Sequence, residues 1–216
     1  MSTWAEREAR RIEKARTLIR AGIPGPGGVW ADLGCGDGIF TAALHTLTRP
    51  GAEIFGVDRD QQALNALARH FSESFPDARI HALQADFMRS LSLPPLDGVV
   101  MANALHFVRD KPPVLKRAAA LLKPGGRLIV VEYNTARGNP AVPYPLDEMG
   151  FLDLARAIGL NEAHVLARIP STFLGEMYAG IGLITAEAPA SARHRSYRRR
   201  APGSPTSPNL SRDDRP

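Results

Sequence analysis

Short apolar runs of β type alternate with helix-like stretches along residues 29–133, and this alternation constrains the fold more than any other feature. The β-type runs are residues 29–33, 53–57, 79–84, 96–102 and 127–133. The stretches between them with apolar residues at helical spacing are 40–48, 61–75 and 114–122. Strands that alternate with helices predict βαβ units, and therefore a mainly parallel sheet with helices on both faces.

After the fifth run the pattern changes. Residues 134–145 contain three prolines and a glycine and predict a loop, and a helix is expected over 146–158. Residues 164–169 and 177–184 predict two strands with no helix between them, which would pair as an antiparallel hairpin at the sheet edge. With a further helix over residues 4–21, the prediction is an α/β fold: a Rossmann-like, doubly wound, seven-stranded sheet, parallel except for this hairpin.

One domain is expected over residues 1–185, followed by a basic tail over 186–216. The tail carries seven Arg against three acidic residues, so it holds four of the five net positive charges. Its Pro, Ser and Arg content predicts disorder, with an electrostatic tether to nucleic acid or anionic lipid as the alternative. No apolar run nears the roughly 20 residues of a membrane span. No secretory signal is recognised, and the single cysteine, Cys35, fits a reducing cytoplasm.

A glycine-rich turn after the first strand is the strongest indication of function. Residues 29–38 read Val-Trp-Ala-Asp-Leu-Gly-Cys-Gly-Asp-Gly. Glycines let a ligand approach the backbone, and doubly wound sheets bind ligands at the carboxyl ends of their strands. A dinucleotide fingerprint fails because Ile39 replaces its third glycine, and a P-loop fails because no Lys-Ser/Thr pair follows. Asp32 and Asp37 flank a turn without basic residues, which disfavours pyrophosphate and suits a ligand with ammonium and sulfonium groups.

Acidic residues close the second and third strands. An acid about 20 residues beyond the glycine turn is the usual acceptor for ribose hydroxyls, and Asp58 stands there. Asp86 is placed to accept from an adenine amino group, with Phe87 packing on the ring. The plain alternatives are that the glycines serve only a tight turn and that the two acids cap local structure.

These residues together resemble the class I S-adenosylmethionine-dependent methyltransferases, over roughly residues 21–184. The matching landmarks are, in chain order, the turn at 32–38, Asp58, Asp86 with Phe87, residues 97–106, and the turn and strand at 122–130. The resemblance implies S-adenosylmethionine as the cofactor and methyl transfer as the reaction. It implies cofactor contacts from Asp32, Gly34, Cys35, Gly36, Asp58, Arg59, Asp86, Phe87, Ala102 and Asn103.

His106, just after the fourth strand, is the candidate catalytic base, because imidazole can accept a proton near neutral pH. Packing in the pocket wall is the alternative. Glu132 and Tyr133 end the fifth strand and are expected to orient an acceptor, with Tyr144 and Tyr178 as weaker candidates of the same kind. No cluster of His, Cys and carboxylates has the spacing of metal ligands.

The expected acceptor is a small molecule, because the segment between Tyr133 and Phe151 that would cover the site is short. The Asn/Asp-Pro-Pro-Tyr motif of nucleobase amino methylation is absent at residues 103–106. Two alternatives stay open from the sequence: a catalytically silent protein that binds the cofactor, and a nucleic-acid methyltransferase aided by the basic tail.

Overall fold

The computed structural model describes residues 4–185, with side chains from Glu6 onward, and the tail at 186–216 lies outside the described residues. The helices are α1 (Trp4–Ile19), α2 (Ile39–Thr48), α3 (Gln61–Ser74), α4 (Lys111–Ala119) and α5 (Glu148–Ala157). The strands are β1 (Val29–Leu33), β2 (Glu53–Asp58), β3 (Arg79–Gln84), β4 (Leu96–Ala102), β5 (Leu122–Tyr133), β6 (Asn161–Ser171) and β7 (Gly175–Leu183). Short 3-10 turns occupy Arg20–Gly22 and Leu105–Phe107.

The seven strands form one sheet in the order β3-β2-β1-β4-β5-β7-β6. The five strands from β3 to β5 are parallel, and β7 pairs antiparallel with both β5 and β6. This confirms the predicted doubly wound sheet with a C-terminal hairpin. The winding reverses between β1 and β4, and in such sheets ligands bind beside the carboxyl ends of the strands at that point.

Alternate residues of the central strands bury opposite faces of the sheet. Trp30 of β1 packs with residues of α1 and α2, whereas the next residue, Ala31, packs with residues of α4 and α5. The Trp30 ring fits because Gly98 of β4 has no Cβ, which would otherwise overlap it. Burial of each large apolar side chain contributes about 1.5–3 kcal/mol, so the two layers together hold the strand ends rigidly.

The helix boundaries differ from the predictions where tertiary pairing intervenes. Asp60 caps α3, since its Oδ1 accepts from the Gln62 N–H at 2.8 Å. Asp110 occupies the corresponding position before α4, but its side chain makes no capping hydrogen bond. The helix α4 ends before its predicted end because Leu122 instead pairs with Leu96 and starts β5 early.

Candidate functional site

The glycine turn leaves β1 and is anchored to the end of β2. The Gly34 N–H donates to the Val57 carbonyl at 2.7 Å, and the Gly36 N–H donates to Asp58 Oδ2 at 2.9 Å. The other Asp58 oxygen accepts from the Asp60 N–H at 2.9 Å. A carboxylate offers about four lone-pair sites, so Asp58 fixes the turn and retains capacity to accept from a ligand.

The three glycines of the turn serve different purposes. A Cβ at Gly34 would lie 2.8 Å from that of Ala104, and one at Gly38 would lie 3.1 Å from the Leu67 side chain. Packing therefore requires glycine at Gly34 and leaves little room for a side chain at Gly38. Gly36 has a φ of 52°, and a Cβ there would meet no protein atom within 4 Å. The backbone of Gly36 thus faces open space, as a ligand-binding turn requires.

Two adjoining cavities cover the strand ends, and both are lined by Gly34 and Asn103. The first, about 400 Å³, is named the β2–β3 compartment after the strands that it follows. The second, about 420 Å³, is named the α1 compartment after the helix that forms its wall. The β2–β3 compartment is further lined by Asp58, Arg59, Asp60, Asp86, Phe87, Met88, Ala104, Phe107 and Val108. The other residues of the α1 compartment are Arg11, Lys14, Ala15, Leu18, Cys35, Gly36, Asp37, Ile39, Phe40, Ala102, Tyr133, Ile169, Pro170, Ser171, Thr172 and Met177.

The two compartments carry opposite charge. Three carboxylates and one guanidinium line the β2–β3 compartment, whereas two cationic side chains and one carboxylate line the α1 compartment. The crevice is therefore acidic where the sequence predicts the nucleoside and basic where it runs under α1.

Two buried side-chain oxygens at this place have no hydrogen-bond partner among the described residues, Asp32 Oδ1 and Asn103 Oδ1. The other Asp32 oxygen accepts from the Thr41 hydroxyl at 2.7 Å. Burial raises the pKa of Asp32 to about 7, and the negative charge of Asp58 adds to the rise. Asn103 has a φ of 52°, a conformation that costs a non-glycine residue about 1 kcal/mol or more and that clusters at ligand sites. Unpartnered acceptors fit a ligand that brings N–H donors and positive charge.

The other predicted cofactor residues lie on the same crevice. Asp86 Oδ1 accepts from the Met88 N–H at 2.9 Å, so the acid caps a local turn while it lines the β2–β3 compartment. Phe87 lies beside it and against Gly34, and Arg59 lines the same compartment.

Ala102 and Cys35 border the α1 compartment. Burial raises the pKa of the Cys35 thiol far above its ordinary range, so the thiol stays protonated and is a poor nucleophile. The position therefore contributes its backbone, whose N–H donates to the Val57 carbonyl at 3.1 Å.

His106 lies just beneath the crevice and is held by Glu132. Its Nδ1 is 2.7 Å from Glu132 Oε2, while Glu132 Oε1 accepts from the Leu105 and His106 N–H groups at 2.8 and 3.1 Å. A carboxylate can only accept, so Nδ1 carries the proton. Nε2 is then the free acceptor, and it has no hydrogen-bond partner among residues 4–185. This is the geometry of a base oriented by a carboxylate.

Two aromatic rings lie near His106. The Phe107 ring centroid is 4.3 Å from that of His106, and the Tyr133 centroid is 6.1 Å away. Phe107 lines the β2–β3 compartment and Tyr133 lines the α1 compartment. The imidazole therefore neighbours a lining residue of each compartment, while it is itself buried and lines neither.

Glu132 and Tyr178 do not lie where the sequence predicts an acceptor contact. Glu132 is fully buried, and both of its oxygens are used by His106 and its neighbour. Tyr178 is also fully buried, and its hydroxyl donates to the Leu146 carbonyl at 2.9 Å. Glu132 therefore reaches an acceptor only through His106, and Tyr178 belongs to the core. The position of a residue along β5 or β7 does not by itself reveal which face of the sheet its side chain occupies.

Lys111 is a residue that sequence reasoning missed. Its ammonium is buried and donates to the carbonyls of Val108 and Tyr144 at 2.9 and 2.7 Å. Burial lowers the pKa of Lys111, and the negative charge of Glu132 opposes that change. The Tyr144 N–H also donates to the His106 carbonyl at 3.0 Å. Lys111 thus ties the segment after β5 to the turn that carries His106. A lysine before two prolines gives no sequence signal of this.

The side chain of Tyr144 is 40% exposed and lines neither compartment. Its contact with the site runs through its backbone, so its role as an acceptor contact remains a prediction. Within residues 4–185, no group of three or more His, Cys, Asp or Glu side chains is arranged to hold a metal ion. In the same part of the chain, no helix combines the length and apolar character needed to cross a membrane.

The comparisons with known proteins point to one family. Residues 31–128 match the family model described as a methyltransferase domain. An uncharacterized methyltransferase of Mycobacterium tuberculosis is 37% identical over 105 residues, which are 48% of this chain and 50% of that protein. A ubiquinone biosynthesis O-methyltransferase of Stutzerimonas stutzeri is 29% identical over 109 residues, or 50% and 44% of the two chains. The chain thus spans about half the length of the curated relatives that it matches.

Solved structures share the whole fold at low identity. A SAM-dependent methyltransferase from Aquifex aeolicus superposes with a TM-score of 0.62 at 13% identity, covering 85% of this chain and all of the other. Magnesium protoporphyrin IX methyltransferase from Synechocystis, solved with bound SAM, gives 0.62 at 15% identity and 86% coverage of both chains. Residues 31–128 therefore match a methyltransferase domain, and the seven-stranded sheet has the fold of solved S-adenosylmethionine-dependent methyltransferases.

Proposed function

We propose that the protein transfers a methyl group from S-adenosylmethionine to a small-molecule acceptor that enters the α1 compartment. The observation that carries the proposal is the pair of oppositely charged compartments that meet at Gly34 and Asn103. The β2–β3 compartment suits a nucleoside with hydroxyl and amino donors. The other continues past β4 and leaves room for a second reactant.

On the cofactor side, Asp58 would accept from the ribose hydroxyls and Asp86 from the adenine amino group, with Phe87 beside the ring. The unpartnered oxygens of Asp32 and Asn103 would face the ammonium group. The bound cofactor supplies an electrophilic methyl group on a sulfonium, so the chain's main task is to align the acceptor with it.

His106 would take the proton of an acceptor hydroxyl or amine at Nε2 as the acceptor attacks. Glu132 holds Nδ1–H at 2.7 Å and favours the imidazolium that forms. Among the described residues, the Oε2 atom of Glu132 accepts a hydrogen bond only from His106 Nδ1. We therefore assign Glu132 as the positioning residue for His106. Tyr133 would form part of the acceptor wall, since it lines the α1 compartment.

A small acceptor is supported by the size of the α1 compartment, about 420 Å³. It agrees with relatives whose names describe O-methyltransferases of ubiquinone biosynthesis, each matched over about half its length.

Calorimetry with S-adenosylhomocysteine, the demethylated cofactor, tests the cofactor half of the proposal. Gly36→Ala would put a methyl group into the crevice without touching protein atoms, at a backbone cost of about 1–2 kcal/mol. Gly159→Ala is the matched control, because Gly159 has a φ of 86°, no atom within 4 Å of an added Cβ, and a place just past α5. We expect Gly36→Ala to weaken binding at least about tenfold, since the added methyl blocks close approach to the backbone, and Gly159→Ala to leave it unchanged. If the unaltered protein binds no S-adenosylhomocysteine, the proposal is wrong.

A further inference from the structure

The α1 compartment is bounded by one stripe of helix α1. Arg11, Lys14, Ala15 and Leu18 all line it, and residues at these spacings lie on one face of a helix. The apolar members Ala15 and Leu18 are buried. The two cations are exposed, so they lie where the helix face meets solvent at the mouth of the compartment.

Only one of these two cations is already paired. Arg11 lies 3.1 Å from Asp37 Oδ2, and Asp37 is the single carboxylate among the lining residues. Lys14 makes no ion pair with any residue in the part of the chain that the structure describes. The mouth of the compartment therefore presents one uncompensated ammonium group.

An aromatic ring at the end of β5 also contributes to the lining of the compartment. Tyr133 lines it, and the Phe173 ring meets the Tyr133 ring edge to face, with centroids 5.5 Å apart. Phe173 is 54% exposed although it is a large apolar side chain. A partly exposed aromatic pair of this geometry offers a packing surface for another planar ring.

From these features, and resting on the methyl transfer proposed above, we infer that the acceptor is a small aromatic acid. Its ring would pack on Tyr133 and Phe173, and its carboxylate would meet the Lys14 ammonium. The acceptor's ring hydroxyl or amine would then be directed toward the turn that bears His106.

The cofactor also carries a carboxylate, so Lys14 could in principle meet that group instead. The compartment has room for an acceptor beyond the predicted cofactor contacts. It reaches Ser171 and Thr172 in the turn between β6 and β7. Sheet strands are spaced about 4.8 Å apart, and β5 and β7 lie between β4 and β6, so this turn is roughly 14 Å beyond the end of β4. The predicted cofactor contacts end at Asn103, just after β4.

The test measures binding of 3,4-dihydroxybenzoate and of 3,4-dihydroxybenzamide to the full chain, with and without S-adenosylhomocysteine. The two probes share a ring and differ in charge. We expect the acid to bind about fivefold more tightly than the amide, as suits a solvent-accessible ion pair, and the preference to shrink at high salt.

Lys14→Gln should abolish the preference. Lys116→Gln removes an equally exposed charge from α4, outside both compartments, and should leave it intact. Phe173→Ala should weaken both probes equally.

The inference is overturned if acid and amide bind alike, or if neither binds. It is also overturned if Lys14→Gln weakens S-adenosylhomocysteine without changing the acid-to-amide ratio, since the lysine then serves the cofactor. A protein that prefers the acid but binds no S-adenosylhomocysteine keeps this inference about the compartment and refutes the proposed methyl transfer.

Discussion

The two compartments of the crevice are built in different ways. All residues that line the β2–β3 compartment lie between Gly34 and Val108, inside the segment 31–128 that matches the methyltransferase domain. The α1 compartment draws on Arg11 and Lys14 before that segment, and on Tyr133 and residues of β6 and β7 after it. One side is thus assembled from a continuous part of the chain, and the other from three separate parts. The difference separates the part of the crevice that the matched domain covers from the part that it does not.

The largest expected effect is on the free energy of unfolding, and it compares the buried Glu132 with Asp58, which lines the β2–β3 compartment. Glu132 accepts three hydrogen bonds in full burial, and Glu132→Ala would leave those donors without a partner. We expect a loss of about 3–5 kcal/mol in the free energy of unfolding, measured in urea. Asp58→Ala, at the partly exposed end of β2, should cost less. Equal losses for the two variants would contradict the distinction.

A second effect concerns chemistry on the acceptor side alone. His106→Ala should lower kcat about 10²-fold or more if the imidazole is the base. Glu132→Gln should also lower kcat, because its amide would favour the tautomer with the proton on Nε2. Neither change should move the dissociation constant of S-adenosylhomocysteine by more than about twofold, since neither residue is among those lining the two compartments. A small effect on kcat would show that His106 is not the base and only packs in the wall of the site.

A third effect belongs to the cofactor side. Asp58→Ala should weaken cofactor binding by about 1–3 kcal/mol, the usual loss when hydrogen bonds to a charged group are removed. Asp58→Asn keeps one acceptor oxygen and should lose less. Titration calorimetry gives both values, and unchanged affinity in Asp58→Ala would show that the ribose lies elsewhere.

The smallest effect depends on pH and on Asp32. Its pKa of about 7 exceeds its ordinary value of 3.8, so the folded state holds a proton that the unfolded state has released, and apoprotein stability should fall as pH rises from 4 to 7. Cofactor binding should change in the opposite direction, because a cation favours the carboxylate. We expect affinity to rise about tenfold from pH 6 to pH 8. Asp32→Asn should flatten this profile, and a profile that persists in the variant would exclude Asp32 as its source.

The sequence predicts the fold and the glycine turn well, because short apolar runs mark the buried parallel strands and helical spacing marks the helices between them. It also predicts that Asp58 and Asp86 end adjacent strands, since parallel strands end at the same edge. It does not predict that Glu132 turns inward to His106, or that Lys111 lies buried under Tyr144. Those positions depend on long-range packing, and a polar residue at a strand end or beside a proline pair has no local pattern that tells interior from surface. The roles of the site residues themselves remain predictions.

The two hydrogen bonds that Asp58 accepts within the protein have a consequence for how a ligand binds. Its two oxygens already accept from the N–H groups of Gly36 and Asp60. The glycine turn therefore has its binding conformation before any nucleoside binds. Little backbone entropy remains to be lost on capture, and affinity gained in this manner comes from preorganisation. Association should then be limited by diffusion into the crevice more than by any rearrangement of the loop.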